Sequence, residues 1–219
     1  MPRQAMNTLY SLSAQHQQNA QECDYEIIVI ENKSKNNLIA DNVYKLGKNL
    51  RYFLREETSQ SPVGAINFGL EKARADHICL MVDGARMVTP RVVEYALMAI
   101  RSNTNALIAV PGYSLGWQDQ HHHIDAQYDE AQEIALLENC HWQQNGYRLF
   151  DIATISGANP NGFMNPLMEC NCVIAAASHF TAIGGANTDF QLPGGGSINL
   201  HMFRQLGLLP DSAPYFLMA

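Results

Sequence analysis

Charged and amide side chains follow three apolar, strand-like runs at the points where those runs end. Glu31 and Asn32 close the first run. Arg55 closes the second, and Asp83 and Arg86 follow the third. Carboxylates and amides bind hydroxyl groups, a carboxylate also binds a hard divalent cation, and a guanidinium binds an anion. Because the carboxyl ends of parallel strands meet at one rim of a sheet, we expect a polar ligand site there.

The elements that position this rim alternate along the first half of the chain. Apolar runs predict strands at 25–30, 50–54, 77–82 and 106–110. Helical spacing predicts helices near 4–18, 37–46, 63–73 and 92–100. Such alternation is typical of an α/β fold with a parallel sheet covered on both faces. For the second half we expect loops at 113–124, 156–165 and 193–196, strands at 147–155 and 171–176, and helices at 127–139, 178–183 and 198–206.

The composition indicates a folded protein that neither binds nucleic acid nor crosses a membrane. The chain has 219 residues, of which 47% are hydrophobic, and a formal net charge of -7. Its basic residues form no stripe that binds a phosphate backbone, and its apolar runs are shorter than the roughly 18 residues of a membrane span. Five cysteines without metal-site spacing, and no apolar leader, predict a cytoplasmic protein with reduced thiols. Cys79 is expected in the core.

In order and spacing, several segments resemble family-2 glycosyltransferases of the GT-A fold. The segment YEIIVIENKS at 25–34 resembles a strand that ends at the nucleoside, and HICLMVDGAR at 77–86 resembles the strand before a D-x-D motif. Other similar segments are an A-R-N-x-G-like helix at 65–69, an I-G-G turn at 183–187 and PGGGSINL at 193–200. With DGARM at 83–87, YRLF at 147–150 and Glu-x-Asn at 169–171, they are most similar to a bacterial subgroup.

The resemblance implies a fold, a reaction and its partners. It implies a single Rossmann-like GT-A domain over residues 1–219, with a nucleotide-binding half at about 1–112 and an acceptor-side half at about 113–219. The implied reaction moves a sugar from a nucleotide-diphosphate sugar to a hydroxyl group of a glycan or other acceptor, with inversion. The resemblance implies no organic cofactor, and the composition predicts no nucleic-acid partner.

Site residues also follow from the resemblance. The implied nucleotide contacts are Glu31, Asn32, Asn67, Asp83 and Arg86. Asp83 is expected to contact the ribose or a Mg²⁺ or Mn²⁺ ion, and Arg86 to neutralise the diphosphate. For the catalytic base, the leading carboxylates are Glu169 and Asp189.

Departures from the family pattern leave other functions open. The first strand of the fold is expected to be missing, and the chain is predicted to be truncated at both ends. Ile66 replaces an Arg, Ala85 replaces the second D-x-D carboxylate, and Asn187, Ser197 and Asn199 replace late acidic residues. Metal binding is therefore expected to be weak and to need nucleotide phosphates. The alternatives are a non-catalytic nucleotide- or glycan-binding fragment and a sugar-phosphate nucleotidyltransferase.

Two further expectations concern segments outside these motifs. The first helix, which carries Leu9 and Leu12, is expected to be less well held than in intact relatives because its partner strand is missing. The run His121–His123 is expected to be a polar loop, since adjacent side chains diverge and do not bind one metal ion together.

Overall fold

A computed structural model describes residues 2–57, 59–82, 85–117, 129–157, 167 and 170–217, which form an α/β fold. The helices are α1 (Pro2–Leu12), α2 (Ala40–Tyr44), α3 (Val63–Lys72), α4 (Val92–Ser102), α5 (Glu130–Cys140), α6 (Ala177–Ala182) and α7 (Ile198–Gly207). The strands are β1 (Ile27–Asn32), β2 (Leu50–Arg55), β3 (His77–Met81), β4 (Ala106–Ala109), β5 (Tyr113–Leu115), β6 (Ala153–Ile155), β7 (Cys172–Ala176) and β8 (Ala213–Phe216). Among the described residues, 3₁₀ helices span Gly146–Ile152 and Pro193–Gly195.

The described strands form three sheets rather than one parallel sheet. β1 and β2 pair in parallel, with Ile27 opposite Leu50 and Asn32 opposite Arg55. The larger sheet has the order β3-β7-β4-β8, in which β7 is antiparallel to both neighbours and β8 is parallel to β4. β5 and β6 form a short antiparallel pair. The expectation of an all-parallel sheet is wrong because the buried strand β7 enters between β3 and β4 in the opposite direction.

Helix α1 is firmly attached to the rest of the fold. Leu9 is only 6% exposed and packs in one cluster with residues of β1, α2 and β2. The hydroxyl of Thr8 accepts from the backbone N–H of Arg86 at 2.9 Å, and the hydroxyl of Ser11 accepts from that of Val88 at 3.0 Å. The segment after β3 thus satisfies buried hydroxyl groups of α1, and the comparison with intact relatives stays a prediction.

Helix α3 packs against the β1–β2 sheet and against the four-stranded sheet. Val63 and Ile66 are buried in the cluster that also contains residues of β4 and β7. Gly69 lies against β1, where an added Cβ would be 3.5 Å from Cγ1 of Ile30. The hydroxyl of Ser61 accepts weakly from the N–H of Val63 at 3.4 Å, in keeping with the predicted helix start.

Several local predictions were wrong. β5 lies in a predicted loop, a 3₁₀ helix replaces most of the strand predicted at 147–155, and β8 was not predicted. Cys79 is exposed rather than in the core, because β3 is an edge strand in the described sheet. His121–His123 lies outside the described residues. None of the described helices has both the length and the hydropathy needed to span a membrane.

Candidate active site

A cavity of about 280 Å³ lies at the carboxyl ends of β3 and β4, on the rim where the sequence predicts a ligand site. Met81, the last residue of β3, and Val110, which follows β4, both line it. Gln4 and Asn7 line it from the first turns of α1. Strand ends and a helix terminus thus surround a space large enough for a small ligand or part of one.

Arg86 brings a positive charge to this cavity. It lies three residues after the expected nucleotide contact Asp83, and its backbone N–H is bonded to Thr8 as described above. Its Nε is buried and has no hydrogen-bond partner among the described residues. Leaving a buried guanidinium N–H unpaired is costly, so an anion bound at Arg86 would gain a charge-assisted hydrogen bond.

An aromatic pair lines another part of the cavity. The rings of Tyr113, on β5, and Phe150, in the first 3₁₀ helix, meet edge to face with centroids 5.1 Å apart. Phe150 is 39% exposed, and burial raises the pKa of Tyr113. The pair therefore presents apolar ring surface to a ligand while one of its members remains accessible.

Two asparagines connect the late PGGGSINL segment to the cavity. Asn171, just before β7, lines the cavity. The Nδ2 of Asn199, in the first turn of α7, donates to the Oδ1 of Asn171. Asn199 therefore orients the amide of Asn171, although it stands where the resemblance implies an acidic residue.

Glu133 is the carboxylate that lines the cavity among the described residues. It lies on α5, and its Oε1 accepts from the guanidinium of Arg3 at 2.8 Å. The cap of α5 supports this position, because the side chain of Asp129 accepts from the N–H of Gln132 at 3.0 Å. The Glu133 carboxylate can accept hydrogen bonds from hydroxyl groups of a ligand.

Glu31 lies at the end of β1 as predicted, but protein groups already use its carboxylate. Its Oε2 accepts from the hydroxyl of Tyr52 at 2.7 Å and from the N–H of Leu38 at 3.0 Å. Burial, and then the neighbouring carboxylate, raise the pKa of Tyr52, which keeps its proton for this bond. Glu31 therefore fastens β1 to β2 and to the chain that follows β1.

Protein groups also occupy both polar atoms of the Asn32 side-chain amide. Its Oδ1 accepts from the guanidinium of Arg55 at 3.1 Å, and its Nδ2 donates to the carbonyl of Ser59 at 3.1 Å. Neither Glu31 nor Asn32 lines the cavity. Their hydrogen bonds make both residues structural parts of the rim.

Asn67 connects α3 to the turn after α6. Its Nδ2 donates to the carbonyl of Ala186 at 2.9 Å, and its Oδ1 accepts from the N–H of Ala186 at 2.8 Å. The preceding Gly185 has φ +70°, and an added Cβ would lie 2.6 Å from Oδ1 of Asn67. Ser61 strengthens the same junction by donating to the carbonyl of Phe190 at 2.6 Å. Asn67 thus holds the turn after α6 in place.

The remaining predicted residues are not brought together by the described part of the chain. Asp83 and Glu169 lie outside the described residues. Asp189 is exposed, does not line the cavity, and forms a turn in which its N–H donates to Oδ1 of Asn187 at 2.9 Å. Of the predicted site residues that the structure describes, Arg86 alone lines the cavity.

The sequence analysis did not single out Tyr113, Phe150 or Glu133, which line the cavity. Phe150 lies in the YRLF segment, which was a usable signal. Tyr113 and Glu133 had none, because they reach the cavity only through the packing of β5 and α5.

The described residues contain no group of three or more His, Cys, Asp or Glu side chains able to hold a metal ion. Ala85 is exposed in the position where the resemblance expects a second carboxylate. Asp83, the residue expected to hold such an ion, lies outside the described residues.

A family model described as "Glycosyl transferase family 2" matches residues 6–155, which is more than half of the chain. The chain therefore belongs to glycosyltransferase family 2 and has the GT-A fold. No curated protein sequence gives a significant match.

Solved structures support the same fold. The chain is similar to the crystal structure of residues 1–349 of S. aureus TarS, with a TM-score of 0.59 and 14% identity over 97% of this chain and 56% of that one. A second S. aureus TarS structure gives a TM-score of 0.58 and 11% identity over 92% of this chain and 31% of that one. The chain thus spans about half the length of the shorter of these two structures.

Proposed function

We propose that the chain transfers a sugar from a nucleotide-diphosphate sugar to a hydroxyl acceptor at the rim cavity. Family membership gives the general reaction, glycosyl transfer. The observation that supports this location is Arg86, whose Nε is buried without a partner among the described residues and which lines the cavity. A diphosphate leaving group needs such a cation because negative charge develops on it as the sugar departs.

In this proposal, residues 1–219 act as one domain with two halves. The half at 1–112 binds the donor, with the diphosphate at Arg86 and the nucleoside near Asp83. Glu31, Asn32 and Asn67 act indirectly, since their side chains hold the rim and the acceptor-side loop through protein hydrogen bonds. This replaces their expected direct contacts with the nucleotide.

The half at 113–219 receives the acceptor. Tyr113 and Phe150 offer ring surface to the apolar face of a sugar or polyol, and Asn171 offers an amide to its hydroxyl groups. Glu133 can accept a further hydroxyl hydrogen bond. A hydroxyl-rich acceptor such as a glycan fits this combination of apolar and polar lining.

We further propose a single displacement that inverts the anomeric carbon. The acceptor oxygen attacks this carbon opposite the diphosphate, and the carbon–oxygen bond to the diphosphate breaks with its electron pair. A carboxylate takes the proton from the acceptor hydroxyl. Glu169 is the first candidate because it lies two residues before Asn171, which lines the cavity, and Asp189 is the second.

No step is assigned to a metal ion, since the described residues contain no cluster of metal ligands. If Mg²⁺ or Mn²⁺ takes part, Asp83 would hold it together with phosphate oxygens of the nucleotide, and the ion would supply positive charge to the diphosphate. Arg86 supplies such charge from the chain itself.

Release of nucleoside diphosphate from a panel of nucleotide-diphosphate sugars, with added glycan acceptors, tests the function. We expect release with at least one donor, and a roughly 100-fold or greater loss in Glu169→Gln. Asp189→Asn is the matched control and should retain activity. If every donor binds without release, the chain is the non-catalytic binding fragment. If Asp189→Asn is the variant that loses activity, Asp189 is the base.

A further inference from the structure

A pair of thiols lies between β3 and β7, beside the rim cavity. Cys79 is in β3, and Cys172 is the first residue of β7. Their Sγ atoms are 3.7 Å apart, although 93 residues separate the two cysteines in the sequence. Cys172 also lines the rim cavity, next to Asn171. Neither thiol takes part in the proposed sugar transfer.

The register of the two strands explains this contact. Cys79 lies opposite Ile174, and Cys172 lies opposite Met81. Because alternate residues of a strand share a face, the two cysteines are diagonal neighbours on one face of the antiparallel pair. Met81 and Ile174, which share this face, pack in one core cluster. The fold therefore brings the two sulfur atoms together.

The two thiols differ in exposure and in acidity. Cys79 is exposed, whereas Cys172 is buried. The hydrogen bond with Cys79, and then burial, hold the pKa of Cys172 well above its ordinary value. A soluble oxidant therefore meets Cys79 first, and Cys172 remains beside it as a protonated thiol. An accessible cysteine next to a second, resolving cysteine is typical of redox-sensitive sites.

The third nearby thiol donates to the backbone. The Sγ of Cys170 donates to the carbonyl of Cys172 at 2.9 Å and more weakly to that of Val110 at 3.6 Å. These cysteines belong to no group of three or more metal ligands among the described residues. Redox chemistry of the pair formed by Cys79 and Cys172 is therefore the reaction that the arrangement favours.

We propose that Cys79 and Cys172 are a reversible oxidation site, which a hydroperoxide converts to a disulfide between β3 and β7. The Cys79 thiolate attacks one oxygen of the hydroperoxide, the O–O bond breaks, and Cys79 becomes a sulfenic acid. The hydroxide or alkoxide that leaves takes up the proton that Cys79 released. The sulfur of Cys172 then attacks that of Cys79, the S–O bond breaks, and the departing hydroxide leaves as water with the proton of Cys172. Two thiols thus lose two electrons, and one hydroperoxide gains them.

This disulfide should be easy to reduce. Diagonal neighbours in an antiparallel pair are about 7–8 Å apart, whereas a relaxed disulfide spans about 4.4–6.8 Å between Cα atoms. The strands must therefore shift slightly to form the bond, and a strained disulfide is more readily reduced. A small thiol should regenerate both cysteines. The proposal stands on the two sulfur atoms and does not depend on glycosyl transfer.

The test treats the full chain with hydrogen peroxide at neutral pH, blocks the remaining thiols with iodoacetamide and maps disulfides by mass spectrometry. We expect the disulfide between Cys79 and Cys172 in most oxidised molecules, and its loss after dithiothreitol. In urea it should form about tenfold or more slowly, because the unfolded chain must close a long loop. Absence of this disulfide from the folded chain, or equal rates with and without urea, would overturn the proposal.

Cys172→Ala and Cys170→Ala are a matched pair of variants, since each removes a buried thiol from the same segment. Cys172→Ala should lose the disulfide and leave Cys79 as a sulfenic acid that dimedone labels, whereas Cys170→Ala should form the disulfide as the natural chain does. Cys79→Ser, an exposed change, should also lose it, and provides the result if Cys172→Ala fails to fold. A disulfide that joins Cys79 to Cys170 or to Cys23 in the natural chain would overturn the proposal.

Discussion

Asn67 illustrates, at the scale of single residues, how a polar side chain near a binding site can serve the fold rather than the ligand. Its motif predicts a nucleotide contact, yet both ends of its amide bond Ala186, which is 1% exposed. Glu31 and Asn32 behave in the same way at the end of β1. The residue types at the rim were therefore informative, but their direct partners are protein groups.

Asn67→Ala should lower stability. Two hydrogen bonds are lost at a buried site, which costs about 2 kcal/mol and corresponds to a fall of roughly 4–8 °C in melting temperature for a chain of this size. Calorimetry checks this, with Glu71→Ala, an exposed change on the same helix, as the control. An unchanged melting temperature together with weaker nucleotide binding would show instead that Asn67 contacts the nucleotide.

His16 should make the fold sensitive to acid. Its ring packs against Tyr10 and Trp142, with centroids 5.6 and 5.5 Å away, and burial lowers its pKa despite a smaller opposing effect of the Val88 backbone. Below about pH 6.5 the unfolded chain takes up a proton at His16 that the folded chain resists, so stability falls as the pH falls.

Melting curves between about pH 7.5 and about pH 5 measure this effect. The loss of melting temperature on acidification should be smaller in His16→Gln than in the natural chain. The control is His141→Asn, an exposed change at a residue with φ 51°, a conformation that Asn tolerates. Parallel curves for His16→Gln and the natural chain would refute this role of His16.

At the scale of elements, α1 depends on the segment that follows β3. Ser11 is fully buried, donates to the carbonyl of Thr8 at 2.7 Å and accepts from the N–H of Val88 at 3.0 Å. The segment that includes Val88 also carries Arg86 into the cavity. The attachment of α1 and the position of the cation are thus coupled through a few hydroxyl groups.

Ser11→Ala should destabilise the chain by about 1–3 kcal/mol, because the N–H of Val88 would remain buried without an acceptor. Chemical denaturation gives the free energy of unfolding, and Ser178→Ala, an exposed change in α6, is the control. Hydrogen exchange should also quicken at Val88. Equal free energies for the two variants would show that this hydroxyl does not hold α1.

The sequence predicted the first half of the fold better than the second for physical reasons. The local pattern of apolar residues and the residues at helix ends predicted β1, β2, α3 and β4. β8 escaped prediction because it is short, contains Pro214 and forms only beside β4. The 3₁₀ helix at 146–152 replaced a predicted strand because the side chain of Asn145 accepts from the N–H of Tyr147 at 3.1 Å.

The sequence predicted only those cavity residues that directly follow a strand. Arg86 was found because it follows an apolar run, and it lines the cavity. The partners of Glu31 and Asn67 were not predictable, because Tyr52 and Ala186 reach them across tertiary contacts. Tyr113 and Glu133 enter the cavity from elements whose packing no local pattern encodes.

At the scale of the whole molecule, binding of Mg²⁺ or Mn²⁺ should require the nucleotide. The described residues offer no cluster of metal ligands, and Ala85 leaves the D-x-D segment with one carboxylate. Calorimetric titration with Mn²⁺ should show very weak binding to the chain alone and measurable binding once a nucleoside diphosphate is present. Tight binding without nucleotide would mean that the chain has a metal site of its own.

The central claim is that this family-2 glycosyltransferase chain binds its donor diphosphate at Arg86 in the rim cavity. Calorimetric titration with a panel of nucleoside diphosphates measures this directly in the natural chain, in Arg86→Ala and in Arg74→Ala. Arg74 is the matched control, because it is exposed at the opposite end of β3 and its one bond to Glu26 comes from the backbone. We predict saturable binding of at least one nucleotide, weakened about 10-fold to 100-fold by Arg86→Ala and unchanged by Arg74→Ala. Equal affinities in the natural chain and Arg86→Ala, or no binding of any nucleotide, would contradict the account.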